Sequence, residues 1–196
     1  MRYTKMLEKF GGQKLFSVNE ARLVEPGFHR PRLNDWLKKG YIKKFVRNYY
    51  ILSSFTPDER FLFSAANRIY EPSYISTQSA LSSYGLIPDR PVTVTSITTR
   101  KTKNFNTPFG RFIYRKCLVK HFWGYSEDGG FLMASPSKAL LDLIYLDASL
   151  RSKEAIAELR LDTRRFFSME TKKGLIKSAE KMGDTRVMET VREAFL

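Results

Sequence analysis

The first 52 residues constrain this chain most, because they place two short helical patterns ahead of a β-prone hairpin. Ser17-Val18-Asn19-Glu20 has the S-x-x-E spacing of a capping box, so a helix is expected from there to about Glu25. Pro26-Gly27 breaks it. A second amphipathic segment runs from about Arg30 to Lys39, with Leu33, Trp36 and Leu37 on one face and Gly40 as its stop. Tyr41 to Leu52 then reads as two short strands joined by a turn around Arg47-Asn48.

Helix, tight turn, helix and two-stranded ribbon is the order of a winged helix-turn-helix, which sets one helix in the DNA major groove and its ribbon against the backbone. Charge supports that placement. The chain carries net +14, but the excess is concentrated. Residues 1–55 hold 12 basic and 4 acidic side chains, and residues 90–126 hold 8 basic and no acidic ones. Residues 56–89 are slightly acidic, and 127–196 balance at 12 and 12. Two separated basic blocks point to a polyanionic partner, with DNA foremost. Arg30, Arg32, Asn34 and Lys38 sit in or just before the second helix. Arginine and asparagine can contact guanine and adenine edges, and lysine can reach phosphate. Lys43, Lys44 and Arg47 in the ribbon suit phosphate better than bases. Trp36 shares a face with Leu33 and Leu37 and is expected in the core.

The remaining composition narrows the class further. One cysteine, Cys117, excludes an internal disulfide and fits a reducing compartment. The two histidines, His29 and His121, stand apart from any cysteine or carboxylate cluster, so no metal or other cofactor is expected. Arg2, Lys5 and Lys9 lie in an amphipathic stretch with no signal-like apolar run. No run of 18 apolar residues is present, so no membrane partner is expected and a cytoplasmic location is.

Ser53 to Pro57 reads as a boundary, giving a domain over 1–55 and a second over 56–196, with a connecting helix across 55–72. Pro57-Asp58-Glu59 opens that helix, which carries Phe61, Leu62, Ala65 and Ile69. Ser76 caps a helix that Gly85 ends. Residues 92–99 form a β-branched strand, and Arg111–Val119 a second, after the turn Thr107-Pro108-Phe109-Gly110. Further strands are expected near His121–Tyr125 and Phe131–Ala134, separated by Asp128-Gly129-Gly130. Ser135-Pro136 caps the apolar helix Lys138–Leu146. A helical C-terminal part fills 150–196, with breaks near Asp162 and Gly183. The second core is expected to use Ile75, Leu81, Val92, Val94, Ile97, Phe112, Leu118, Leu140, Leu143 and Ile144. The fold class is therefore α+β: a winged helix-turn-helix, then a mixed α/β domain with a small sheet and C-terminal helices.

Four segments now stand in order behind the helix-turn-helix pattern. They are Ser73-Tyr-Ile-Ser-Thr-Gln-Ser-Ala-Leu-Ser-Ser-Tyr-Gly-Leu-Ile87, a Val/Thr strand, Thr107-Pro-Phe-Gly110 and Ala134-Ser-Pro-Ser-Lys-Ala-Leu-Leu-Asp-Leu143. That series resembles the AbiEi family of antitoxin-type transcriptional regulators, known from abortive phage infection systems, over about residues 5–165. The resemblance implies a non-enzymatic autorepressor of a toxin-antitoxin operon that binds its own promoter at inverted repeats. It also implies a partner toxin of nucleotidyltransferase type, AbiEii, neutralised through the C-terminal domain. Such proteins often carry glycine at the ribbon turn, where this chain has Asn48; asparagine tolerates positive φ, so the hairpin stands.

The second basic block lies outside what the resemblance explains. Arg100, Lys101, Lys103, Arg111, Arg115 and Lys116 are interleaved with Phe105, Phe109, Phe112 and Tyr114. On a strand, Arg111, Ile113 and Arg115 share one face and Phe112, Tyr114 and Lys116 the other. A basic face there could extend a DNA footprint, contact RNA or dock an acidic surface; solvated charge is the plain alternative. Other readings remain. One is a stand-alone, ligand-responsive winged-helix regulator with no toxin. Another is a metal-dependent nuclease, because Asp162 with Glu170-Thr-Lys172 mimics a D…E-x-K pattern, although in helical sequence. The Ser76, Gln78, Ser79 group and the Ser135/Lys138 pair resemble polar or nucleophilic sites, and helix capping accounts for Ser76 and Ser135.

Overall fold

The computed structural model describes Thr4, Glu8 and residues 14–195; the segment bearing Arg2, Lys5 and Lys9 lies outside the described residues. The chain is α+β, with nine α-helices and two sheets among the described residues.

The smaller sheet is antiparallel in the order β1-β3-β2, from β1 (Leu15–Ser17), β2 (Ile42–Val46) and β3 (Tyr49–Leu52). Strand β1, absent from the sequence expectation, is three residues long and too short for an alternation to show. It pairs Leu15 with Ile51 and runs straight into α1 (Val18–Val24). Ser17 both ends the strand and forms the capping box: Glu20 N donates to its Oγ at 3.2 Å, and its own N donates to Glu20 Oε2 at 2.6 Å. Helix α2 (Pro31–Lys38) begins on proline and stops at Gly40, whose φ of +67° suits a residue without Cβ. Asn48 takes φ +70° at the hairpin turn, as its side chain permits.

This sheet is covered on both faces, because its residues alternate between two cores. Phe16, Ile42, Tyr50 and Leu52 meet Leu33, Trp36 and Phe28 from the α1–α2 side. Leu15, Phe45 and Ile51 turn the other way and join the large core of the rest of the chain. Helix α3 (Glu59–Ile69), capped by Asp58 Oδ1 accepting from Phe61 N at 2.7 Å, lies against that second face. Phe45 sits with ring centroids 5.9 Å from Phe61, 5.4 Å from Phe109 and 5.5 Å from Phe112. Polar ties cross the same seam. Arg68 donates to the Leu15 carbonyl at 2.8 Å and to Glu20 Oε1 at 2.5 Å, and the Tyr49 hydroxyl donates to the Arg68 carbonyl at 3.0 Å. The linker near residue 55 is thus a sequence boundary across which the packing continues.

The larger sheet is mixed, in the order β6-β7-β5-β4-β9-β8. Its strands are β4 (Ser73–Ile75), β5 (Thr93–Thr98), β6 (Lys103–Thr107), β7 (Gly110–Lys116), β8 (Tyr125–Glu127) and β9 (Leu132–Ala134). The β5–β7 and β4–β9 pairs are parallel. One face carries Phe112 and Tyr114, and the Tyr114 hydroxyl donates to the Ala66 carbonyl of α3 at 2.6 Å. Against the other face pack α4 (Thr77–Ser83) and α5 (Pro136–Leu146). Behind them lie α6 (Lys153–Glu158), α7 (Thr163–Met169), α8 (Lys172–Met182) and α9 (Thr185–Phe195).

Several expectations are corrected here. No strand spans His121–Tyr125: His121 N donates to Leu118 O at 2.8 Å and Phe122 N to Val119 O at 3.0 Å, closing a 3₁₀ turn over Val119–His121. Gly124, at φ +74°, then redirects the chain into β8. Val92 is 90% exposed and Leu118 51% exposed, so neither belongs to the core. Each lies just outside a strand, Val92 before β5 and Leu118 after β7, where no neighbouring layer covers it. Strands β4 and β6 were not anticipated, nor was the break at Glu170–Thr171 between α7 and α8. The breaks at Asp162 and Gly183 occur as expected, Asp162 as the cap of α7 and Gly183 at φ +67°.

Phe45→Ala removes the ring shared by Phe61, Phe109 and Phe112, so it should cost about 3–5 kcal/mol in urea unfolding. Leu37→Ala, at a half-buried position, should cost markedly less.

Candidate nucleic-acid interface

Helix α2 buries Leu33 and Trp36 against the small sheet and leaves Asn34, Asp35 and Lys38 exposed on its opposite side. The turn before it is held by Phe28, buried with its ring 5.7 Å from Trp36. Arg30 occupies the N-cap position and is exposed, as is His29. Arg32 differs from its neighbours: it is half-buried, and its Nη1 donates to Glu25 Oε1 at 3.3 Å across the turn. Arg30, Asn34 and Lys38 are therefore presented together at the start and outer side of α2, while Arg32 is tethered.

In the hairpin, Arg47 is exposed beside the Asn48 turn. Lys43 and Lys44 are exposed but divide between faces. Lys44 pairs with Tyr50, whose ring faces the α2 side, whereas Lys43 pairs with Ile51 on the α3 side. Lys43 accordingly lines a groove with Phe55, Pro57, Leu62 and Phe109. The sequence grouping of the two lysines does not survive as one patch.

The second basic block is split in the same way. Arg111 and Arg115 stand on the face of β7 that also carries Ile113, next to Asn104 and Asn106 of β6. Arg100, Lys101 and Lys103 gather instead around Tyr70 and Phe105. The Arg100 guanidinium lies 4.5 Å from the Tyr70 ring and donates to the Glu71 carbonyl at 3.0 Å. Lys101 accepts the Tyr70 hydroxyl on its carbonyl at 2.9 Å, and Lys103 Nζ lies 5.5 Å from the Phe105 ring. Lys116, expected on the face of Phe112 and Tyr114, ends the strand in solvent.

Beside Arg115 is a cleft of about 410 Å³ whose walls include Thr77, Gln78, Thr95, Ile113, Leu143 and Asp147. Arg115 donates to the Leu146 carbonyl at 3.2 Å. Hydrogen bonds from Ser149 hold the Asp147 carboxyl below its usual range, aided by Arg115 and Arg151. Thr77 adopts φ +54°, a strained backbone for a β-branched residue.

Below this surface lies a polar group that sequence reasoning assigned elsewhere. Ser76 occupies the N-cap position of α4 but makes no capping hydrogen bond; its hydroxyl donates to Asp142 Oδ2 at 2.7 Å. Tyr74 donates to the same oxygen at 3.0 Å, and Lys138 pairs with the other oxygen. All four residues are buried, and Lys138 Nζ also lies 4.9 Å from the Trp123 ring. Capping therefore does not account for Ser76, whose hydroxyl is turned to the buried Asp142 carboxylate and accepts from no N–H of the first turn. Capping does account for Ser135, whose hydroxyl accepts from Lys138 N at 3.3 Å. The Lys138/Asp142 spacing of four residues was the available signal. Burial pushes the Asp142 carboxyl up despite Lys138, and pushes the Cys117 thiol up to about 11, which leaves that thiol protonated.

The D…E-x-K residues are separated by folding. Asp162 caps α7 by accepting from Arg165 N at 2.9 Å, and Glu170, past the far end of the same helix, accepts from Ser137 N at 3.2 Å. Among the described residues no three His, Cys, Asp or Glu side chains gather as a metal site, and no helix is long and apolar enough to cross a membrane. Compared with known proteins, the chain matches no family model and has no significant match among curated proteins.

Lys138→Met should cost about 3–5 kcal/mol, since it leaves the Asp142 carboxyl without its ionic partner in the core, whereas adding Asp142→Leu should recover much of the loss. Chemical unfolding of the three proteins checks this. His121 gives a pH test. Burial, with Lys120 and Lys138 nearby, lowers its pKa in the folded state. The unfolded chain therefore takes up the proton first as pH falls below about 6.5. Unfolding free energy should be unaffected by His121 above that value and decline below it, and His121→Phe should flatten the decline.

Proposed function

We propose that this chain is a DNA-binding transcriptional autorepressor and the antitoxin of a toxin-antitoxin operon, as its resemblance to the AbiEi family implies. In this reading residues 1–55 are a winged helix-turn-helix domain, α2 is its recognition helix and the β2–β3 hairpin its wing. The observation that carries it is the coincidence of a basic block with that element order. Asn34, Lys38 and Arg30 stand exposed on α2 and Arg47 on the hairpin tip, in a segment of 12 basic and 4 acidic residues. Asn34 suits an adenine edge; Arg30, Lys38, Lys44 and Arg47 suit phosphate. Two copies would read an inverted repeat. Residues 56–196 form the antitoxin domain, acting on a nucleotidyltransferase-like toxin. The chain is then a cytoplasmic non-enzyme that needs no cofactor.

A second reading has one observation of its own. The cleft bounded by Arg115, Asp147 and Thr77 has the volume and mixed lining of a small-molecule site. A ligand held there would make the chain a ligand-responsive winged-helix regulator.

The test uses the full chain on a duplex of its own promoter. Log K should fall with log salt at a slope of roughly −0.9 per phosphate neutralised. Lys44→Ala and Arg47→Ala should each lower that slope by about one and weaken all sequences alike. Affinity indifferent to salt would remove the DNA reading. Co-expression with the adjacent toxin gene separates the two regulators, because only an antitoxin restores growth.

A further inference from the structure

Besides the shared core of Val18, Ala21, Leu33 and Trp36, an ion pair between Glu25 and Arg32 ties the candidate DNA-reading helix to the end of the helix before it. Glu25 is the last cap of α1, and Arg32 is the second residue of α2. The intervening turn is tight: Phe28 N donates to the Glu25 carbonyl at 2.8 Å, and Arg32 N to the His29 carbonyl at 3.0 Å. The two side chains meet over it at 3.3 Å, with 39% of Arg32 and 27% of Glu25 exposed. Neither is therefore withdrawn from a ligand lying along α2.

We propose that Glu25 is a positioning residue that fixes the Arg32 guanidinium to read a guanine in the major groove. The inference rests on the DNA-binding reading above and adds to it a base identity and the group that selects it. The N-terminal residues of a recognition helix approach the base edges, and Arg32 is among them. A free arginine samples many rotamers and contacts phosphate as readily as base. One held at a single Nη by a carboxylate presents the rest of its five-donor fork in one direction. Guanine offers two acceptors, O6 and N7, to such a fork, whereas adenine replaces one of them with an amino donor. Arg30, two residues earlier at the N-cap and without an ion pair among the described residues, has no comparable constraint and remains a phosphate contact.

The experiment is selection of duplexes from a random-sequence library by the full chain, with Arg32→Ala, Arg32→Lys, Glu25→Ala and Glu25→Gln variants compared. Thermal melts run beside it confirm that each variant is folded. The wild type should enrich one guanine position. Arg32→Ala should lose preference there by about tenfold or more, and Arg32→Lys, which keeps charge without the fork, should lose it too. Glu25→Ala should lose the same position and leave the others unchanged. Glu25→Gln, which keeps an acceptor, should restore part of the preference. If Arg32→Ala loses the guanine while Glu25→Ala retains it, Arg32 reads the base unaided and the positioning role is overturned. Even weakening at every position by Glu25→Ala means the pair merely braces the turn, which also overturns it. Absence of salt-dependent duplex binding by the wild type removes the DNA reading itself, an outcome distinct from both.

Discussion

Phe45 is packed from three sides by Phe61, Phe109 and Phe112, and through it the small sheet and the large one share a single hydrophobic core. The small sheet cannot exist as a free-standing unit with one solvated face, because Leu15 and Ile51 also point into that core. Helix α3 is the common wall: Phe61, Phe63, Ala65 and Ala66 are all buried, on more than one side of the helix. Arg68 reinforces the seam by holding both the Leu15 carbonyl and the capping residue Glu20. Orientation of α2 relative to the large sheet is consequently a property of packing, not of a flexible tether.

A second constraint acts deeper. Lys138 and Asp142 take two charges out of water, and the hydroxyls of Tyr74 and Ser76 complete the carboxylate's hydrogen bonding. These four groups come from β4, the start of α4 and α5, so satisfying them fixes how α4 and α5 sit on the sheet. Apolar packing alone would tolerate several registers of α5, which is buried along most of its length. The hydrogen bonds that Tyr74 and Ser76 donate to Asp142 admit one.

The basic residues show how charge that clusters in sequence can separate in space. Arg111 and Arg115 stand on one face of β7, while Arg100, Lys101 and Lys103 collect around Tyr70 and Phe105. Strand alternation alone divides neighbours, and the reversal between β6 and β7 divides them again. The exposed polar residues of the α2 region remain together better, since helical spacing keeps Asn34 and Lys38 on one side.

Local chemistry determined much of this protein without help from the fold. The capping box at Ser17, proline at the start of α2, Gly40 and Gly183 as stops and Asn48 at the turn each solve a problem posed within a few residues. Periodicity likewise placed Leu33 and Trp36 in the core, and Phe112 was expected there too. Tertiary structure decided whatever depended on a distant partner. Ser76 left its capping role for Asp142, 66 residues away; Arg32 was tied to Glu25 by the geometry of a turn; Val92 and Leu118 were exposed because no layer covers the strand ends they adjoin. Three-residue strands such as β1 and β4 belong with these, since they exist only through the longer strands they pair with. Hydrogen bonds and ion pairs of that range are set by topology, and topology is not written in the spacing of neighbouring residues.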